Sequence, residues 1–329
     1  MFDRYPAVQT AGYLNLKFKG EISLIQKSGH EKGYGLISKA MNNENVFSYI
    51  AVTPVILALV IFMAIPIVNV VYHSFTLWDG LQVRLIGFDN YINMLTNSDF
   101  WYILSNNLLY LIAVPVIILL SLVVAVLIYE ELPGWKFFRS VFFLPYVLSA
   151  VVVGYLFRSI FAYSGPINKI LNAIGLNGLV IDWLSSRGTA IAVIILAVAW
   201  TQFGYGMLVY LAGMSSISPS VFEASKIDGA NWWQRFVHVI LPMLIRTTEF
   251  LVILNTIFAF TSLFDYIYTI TRGGPGYDTM PINYWIYMKA FRSNEMGFAC
   301  ALAIVLFVIL LVVALIQRKV VNRADDWGE

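Results

Sequence analysis

Charge is scarce in this chain. Only 12% of its 329 residues are Asp, Glu, Lys or Arg, whereas 59% are hydrophobic; a soluble globular domain carries roughly 25% charged residues. The shortage excludes a protein surrounded by water on every side and makes lipid its main solvent. Cysteine is almost missing. Cys300 stands alone in an apolar run, so no intrachain disulfide can form, and it reads as a small buried apolar residue. The three histidines, His30, His73 and His238, are far apart and lack the spacing of metal ligands. No Gly-x-x-x-x-Gly-Lys-Ser/Thr loop occurs, so the chain does not hold ATP by the standard phosphate cradle. No serine, cysteine or carboxylate pair forms a recognisable catalytic arrangement. The expectation is a protein without catalytic residues, metal site or cofactor of its own, and not an enzyme. The formal net charge of +2 carries no signature of a nucleic-acid partner.

What is abundant is long apolar sequence. A membrane-crossing helix needs about 20 mostly apolar residues, and six segments qualify: 49–73, 102–128, 141–162, 190–213, 247–270 and 296–317. The fold class expected is therefore an all-α membrane protein with six transmembrane helices. Pro54 and Pro66 in the first segment and Pro115 in the second predict kinks, which membrane helices tolerate. Residues 1–19 are polar and mixed and do not read as a secretory signal. With the N-terminus inside, the segments 1–48, 129–140, 214–246 and 318–329 hold 14 of the 21 basic residues. That bias puts both termini in the cytoplasm. The expected organisation is a tail at 1–48, with a surface helix at about 36–47, a transmembrane domain at 49–317 with a cytoplasmic loop at 214–246, and a short tail at 318–329.

The most informative segment is Glu223 to Pro242, polar and helix-punctuated between two apolar runs. Ser218 and Pro219 suit an N-cap and a first helical residue, and Ser220 to Glu223 also has capping-box spacing. Gly229 supplies the unusual backbone that ends a helix. Asn231 is placed to cap a second helix running through Trp232–Leu241 toward Pro242. The product is a rigid knob fit for a groove on a partner. Trp232 and Trp233 suit docking or the headgroup level.

The segment resembles the Glu-Ala-Ala, three residues, Gly, nine residues, Ile, one residue, Leu-Pro loop of permease subunits in binding-protein-dependent ABC importers. Glu223, Ala224, Gly229, Leu241 and Pro242 fall in register; Ser225 stands where Ala is usual and Val239 where Ile is usual. Ser74 to Asp79 followed by Gly87 to Tyr91, and Gly273 to Gly276 with Tyr284 to Phe291 behind it, resemble the outer loops of carbohydrate permeases, in particular the first of the two unlike permeases of maltose-type importers. The resemblance covers about residues 47–320. It implies the ABC importer permease fold in a bacterial inner membrane and alternating access. It also implies a second, related permease, two ATP-binding subunits that carry ATP and Mg, an extracytoplasmic solute-binding protein and a carbohydrate substrate. Glu223, Ala224, Ser225, Asp228 and Gly229 are the residues it assigns to coupling with the ATPase.

For substrate contact, Asn255, Phe258, Ala259 and Ser262 recur at i, i+3, i+4 and i+7, one face of a helix, and Trp200, Gln202 and Tyr205 precede the loop. A sugar needs hydroxyl partners and flat apolar surfaces. By distance from the motif, the resemblance singles out Gln202, Tyr205, Asn255 and Ser262; interhelical hydrogen bonding is the competing role. Asp265, near the outer end of the fifth segment, is either functional or interfacial, and Arg158 and Glu249 read as interfacial. Two other solute classes fit the same pattern, glycerol phosphate and polyols. A secondary transporter would show internal inverted repeats, and none is visible.

Overall fold

The computed structural model describes residues 44–325, Leu132 excepted. The expected surface helix at 36–47 and the rest of the N-terminal tail thus lie almost wholly outside the described residues. The chain divides into two compact units, Met1–Val68 and Asn69–Glu329. In the first, α1 (Glu44–Leu59) carries Pro54 and passes through a π-helical turn, Val60–Ala64, into α2 (Ile65–Ser74), within which the division falls. Pro66, second in α2, has no N–H to donate to the carbonyl of Phe62 and its ring crowds that carbonyl, so the backbone widens there into the π turn.

In the second unit the end of α2 leads into a hairpin of β1 (Thr76–Trp78) and β2 (Val83–Leu85), in antiparallel register Thr76↔Leu85. Asp79 shapes its turn, accepting hydrogen bonds from the amides of Leu81 (2.8 Å) and Gln82 (2.7 Å). Next come α3 (Asp89–Thr96), α4 (Ser98–Tyr110) and α5 (Ala113–Tyr129). The break between α4 and α5 falls at Leu111, whose carbonyl lies four residues before Pro115, so the expected kink is present and has the expected cause. α6 (Trp135–Val147) and α7 (Ala150–Ile160) meet at a 96° bend. The single helix expected at 141–162 is thus two: Pro145 closes the first, and Leu148 and Ser149 are extended before the second begins.

The remaining helices are α8 (Pro166–Ala173), α9 (Arg187–Ser215), α10 (Pro219–Ile227), α11 (Trp232–Arg235), α12 (Leu241–Met243), α13 (Ile245–Thr261), α14 (Phe264–Ile270), α15 (Ile282–Tyr287) and α16 (Met296–Asp325). The expected span at 247–270 is also not one helix: it stops at Thr261, and α14 follows after Ser262 and Leu263. Among the described residues four helices are long and apolar enough to cross a membrane, Ala51–Ser74, Ser98–Tyr129, Arg187–Ser215 and Met296–Lys319, and the count reaches six if each bent pair is one span.

In lipid, helices associate through close packing of small residues, and α9 shows it. A Cβ on Gly204 would collide with the carbonyl oxygen of Phe142 in α6, and one on Gly206 with the hydroxyl of Ser121 in α5. Two apolar cores result. One gathers Ile117, Val153, Ile194, Val198, Phe260 and Ile267 among others. The other gathers Leu122, Val126, Met207, Tyr210, Ile240 and Leu251.

Candidate functional site

The knob is built as its residues dictate. Pro219 is the first residue of α10, where its missing N–H costs nothing. Ser220 therefore lies inside the helix, and the capping box read at Ser220–Glu223 does not form; the Ser220 hydroxyl instead bonds that of Ser218 at 2.8 Å. Glu223 is left exposed. The Ala230 amide donates to the Ser225 carbonyl (3.1 Å) across Gly229 at φ +77°, the left-handed closure that favours glycine. Asn231 and Gln234 form a reciprocal capping box, each bond 2.9 Å, at the start of α11. The run then widens into a π turn, Phe236–Ile240, before Pro242, as it does before Pro66.

One face of α10 is anchored and the other is free. Phe222 packs against the second core and lies 5.7 Å from the Tyr129 ring, and Ser225 is buried with its hydroxyl donating to the Phe222 carbonyl at 2.8 Å. Glu223, Ala224 and Asp228 are exposed. Behind the knob lies a cavity of about 760 Å³ whose walls include Glu130, Glu131, Arg139, Glu223, Trp232 and Arg235. Trp232 and Phe236 stack at 5.6 Å, Trp232 half-exposed and Trp233 more so. A charged, aromatic-lined surface beside a rigid exposed helix suits docking of a partner protein.

Between the two cores lies a polar waist. Along α9 the first core ends near Trp200 and the second begins at Tyr205 and Met207. The interval holds Thr201, Gln202, Phe203 and Gly204. At the same level of the packed helices sit Ser121 of α5 and Asn255 and Thr256 of α13, all buried. Ser121 donates to the Phe203 carbonyl at 3.0 Å, Thr201 shares a 2.8 Å hydrogen bond with the buried Tyr266 hydroxyl, and Gln317 of α16 donates to Thr256 at 2.8 Å. Gln202 and Tyr205 are half-buried here, and Tyr205 stacks on Tyr146 of α6 at 5.2 Å. Asn255 donates back to the Leu251 carbonyl (2.8 Å) in its own helix. Ser262 lies past the helix end, exposed, though its amide still reaches the Phe258 carbonyl at 2.9 Å. Three of the four residues singled out from sequence thus share one level, and Ser262 sits above it. Trp200 and Phe258 pack against the first core and Ala259 is buried. Tyr146, Ser121 and Thr201 were not singled out; a tyrosine in the Phe142–Tyr146 run was the available signal.

At the end of the bundle where α4 and α9 begin, a clamp holds the glycine-rich turn, another feature that spacing did not announce. Asn106 donates to the carbonyls of Tyr277 (2.8 Å) and Met280 (2.9 Å) and accepts from Arg187 Nε (3.0 Å). Tyr110 donates to the Thr279 carbonyl at 2.8 Å, and the Asn107 side-chain Oδ1 accepts from the Ile282 amide at 2.9 Å. Arg187 also donates to the Ser105 hydroxyl and lies 4.2 Å over the Tyr102 ring, whose hydroxyl donates to Asp278. Two consecutive asparagines in an otherwise apolar helix were the legible sign. Arg158 reaches the Thr269 carbonyl at 3.5 Å, and Asp265 is exposed on α14.

The family of binding-protein-dependent transport system inner membrane components has a model that matches residues 111–326. The chain is 34% identical to the lactose transport system permease protein LacF of Rhizobium radiobacter, over 83% of this chain and 92% of that one. It is 31% identical to the multiple sugar-binding transport system permease protein MsmF of Streptococcus mutans, over 88% and 99%. Among solved structures it matches a bacterial ABC transporter involved in import of the acidic polysaccharide alginate, with TM-score 0.74, 25% identity, and coverage of 89% of this chain and 99% of that one.

Proposed function

The chain belongs to the family of binding-protein-dependent transport system inner membrane components, and from that premise we propose that it is the permease subunit of an ATP-driven sugar importer. The observation that carries the reading is the knob: an exposed Glu223 on a helix anchored by Phe222 and stopped at Gly229, in register with the loop by which such permeases engage their ATPases. Its permease relatives, described as handling lactose and multiple sugars, support a carbohydrate substrate.

In this reading the chain crosses the inner membrane six times, each bent pair counting as one span, with both termini and the knob cytoplasmic. It pairs with a second, related permease and with two subunits that bind ATP and Mg. A solute-binding protein delivers the sugar to the outer side. Gln202, Tyr205, Asn255 and Ser262 contact the sugar: the Tyr205 ring offers a flat face, and the amides and hydroxyl offer hydrogen bonds. Glu223, Ala224, Ser225, Asp228 and Gly229 form the coupling surface. ATP and sugar must each bind the two access states unequally, since otherwise neither shifts the equilibrium.

The test is ATP hydrolysis by the reconstituted complex, wild type against Glu223→Ala, with the binding protein and a panel of sugars, polyols and glycerol 3-phosphate. Stimulation by one sugar that is lost in the variant, at equal membrane insertion, is the expected result. Stimulation by glycerol phosphate alone moves the substrate out of the sugars. Hydrolysis and uptake indifferent to Glu223 remove the coupling role.

A further inference from the structure

α13 ends at Thr261 and α14 starts at Phe264, and this break opens a surface that neither the waist nor the knob uses. Five aromatic rings adjoin there. Phe264 stacks on Tyr268 at 5.9 Å and meets Tyr284 at 5.3 Å and Tyr287 at 5.1 Å; Tyr287 meets Phe291 at 5.6 Å. The set spans α14, α15 and the π turn after it, and Asn283 locks α15 to the end of α13 by donating to the Thr261 carbonyl at 3.1 Å. Tyr268 is 40% exposed and Phe291 67%, and the backing rings are half-buried or buried. The array is therefore a supported sheet of rings with an open side, unlike the separate aromatic anchors of a membrane interface.

Its rim is polar. Ser262, Asp265, Arg272 and Arg292 are exposed. Asp265 lies one helical turn from Tyr268, on the same side of α14. Burial pushes the Tyr284 phenol up, Tyr287 and Tyr268 add to the rise, and the Arg292 and Arg272 charges oppose it. Among the described residues the side chains of Asp265, Arg272 and Arg292 make no ion pair, and the hydroxyls of Tyr268, Tyr284 and Tyr287 find no hydrogen-bond partner. Stacked rings edged by open donors and acceptors offer a ligand apolar contact and hydrogen bonds together. A pyranose chain satisfies both, presenting apolar ring faces and hydroxyl edges.

We propose that this surface is an outer subsite for a pyranose chain, so that the substrate is an oligosaccharide whose leading sugar occupies the waist while later sugars stack on Tyr268, Tyr287 and Phe291. The proposal rests on the sugar-import reading. Ser262 joins the two regions: it lies seven residues beyond Asn255, roughly 10 Å along the helix, and it borders the break.

The test uses the complete complex in lipid nanodiscs. Wild-type ATP hydrolysis is first measured with the binding protein and the two- to five-residue members of the maltose, xylose and galacturonate series. If no sugar stimulates, the sugar-import reading falls and this proposal with it. With the stimulating series in hand, Tyr268→Ala and Phe291→Ala are compared with wild type. The expected result is about a tenfold fall in kcat/KM for the longest sugars, with less than about a twofold change for the shortest; Tyr287→Phe keeps the ring and falls less than Tyr287→Leu. Equal losses at every length, or no loss, overturn the subsite while leaving the importer standing. Hydroxyl-radical footprinting supplies a second readout. Tyr268 and Phe291 should be protected only when the pentasaccharide is present. Protection already complete in the sugar-free complex makes the surface a contact between subunits and also overturns the proposal.

Discussion

Replacing Gly204 with alanine adds one methyl group where α9 and α6 touch backbone to backbone. The new Cβ would overlap the Phe142 carbonyl oxygen and lie 3.0 Å from the Phe143 Cα. Neither atom can rotate away, so the helices must separate. Overpacking of this kind costs about 1–3 kcal/mol, while alanine regains about 1 kcal/mol of helix propensity over glycine. The net expectation is a loss of up to about 2 kcal/mol. Gly188, in the same helix, is the control: nothing lies within 4 Å of its added Cβ, so Gly188→Ala should hold or raise stability. The assay is the melting temperature of each purified variant in one detergent, followed by size-exclusion recovery. Gly204→Ala should melt several degrees below Gly188→Ala and, because Tyr205 stacks on Tyr146 across the same contact, should also depress uptake. Equal melting temperatures for the two variants would refute the backbone contact and with it the geometry of the waist.

Three other outcomes are expected. Asn231→Ala removes one bond of the capping box and should cost about 1 kcal/mol locally, read as faster amide exchange over residues 231–236 and a lower ratio of sugar moved to ATP hydrolysed; unchanged exchange would count against the cap. Arg187→Ala strips the clamp of two hydrogen bonds and a cation–π contact, so cleavage of the 271–281 turn by added protease should accelerate several-fold, and Arg187→Lys should restore only part of the protection. The Gln82 and Leu81 amides hold the Asp79 carboxyl below the usual carboxylate range. Its contribution to the hairpin turn is therefore present above the unfolded value of about 3.9 and is lost as pH falls through the lower folded value. Leu81 and Gln82 amide exchange, corrected for intrinsic rate, should rise at pH 3 in wild type and be pH-independent in Asp79→Ala.

Apolar run lengths located the four helices that, among the described residues, are long and apolar enough to cross a membrane, because the bilayer demands about 20 apolar residues whatever their packing. The punctuation of the knob was equally legible: Pro219, Gly229 and Asn231 act through their own backbones, so local sequence suffices. What escaped was set by neighbours distant in the chain. The 96° bend after Val147 and the break at Ser262 interrupt continuous apolar sequence, and hydropathy is blind to both. Ser220 and Glu223 had the spacing of a cap, but a proline one residue earlier claimed the helix start. Gln202, Tyr205 and Asn255 came from position relative to the motif, whereas Tyr146 and Ser121 complete their surroundings only through interhelical contact. The clamp on the glycine-rich turn joins residues more than 160 positions apart, beyond the reach of any periodicity.

The separation of the two cores gives the bundle a fulcrum. Above and below the waist the two cores gather buried apolar side chains; at the waist, Gly204 and Gly206 bring α9 close against α6 and α5, and polar contacts replace apolar packing. A push on α10 through Phe222 enters only the lower half, which α5, α9 and α13 share. In the importer proposed above, a seesaw of the two halves would turn about the level of Gln202, Tyr205 and Asn255, so the residues proposed to hold the sugar would move least while access changes sides.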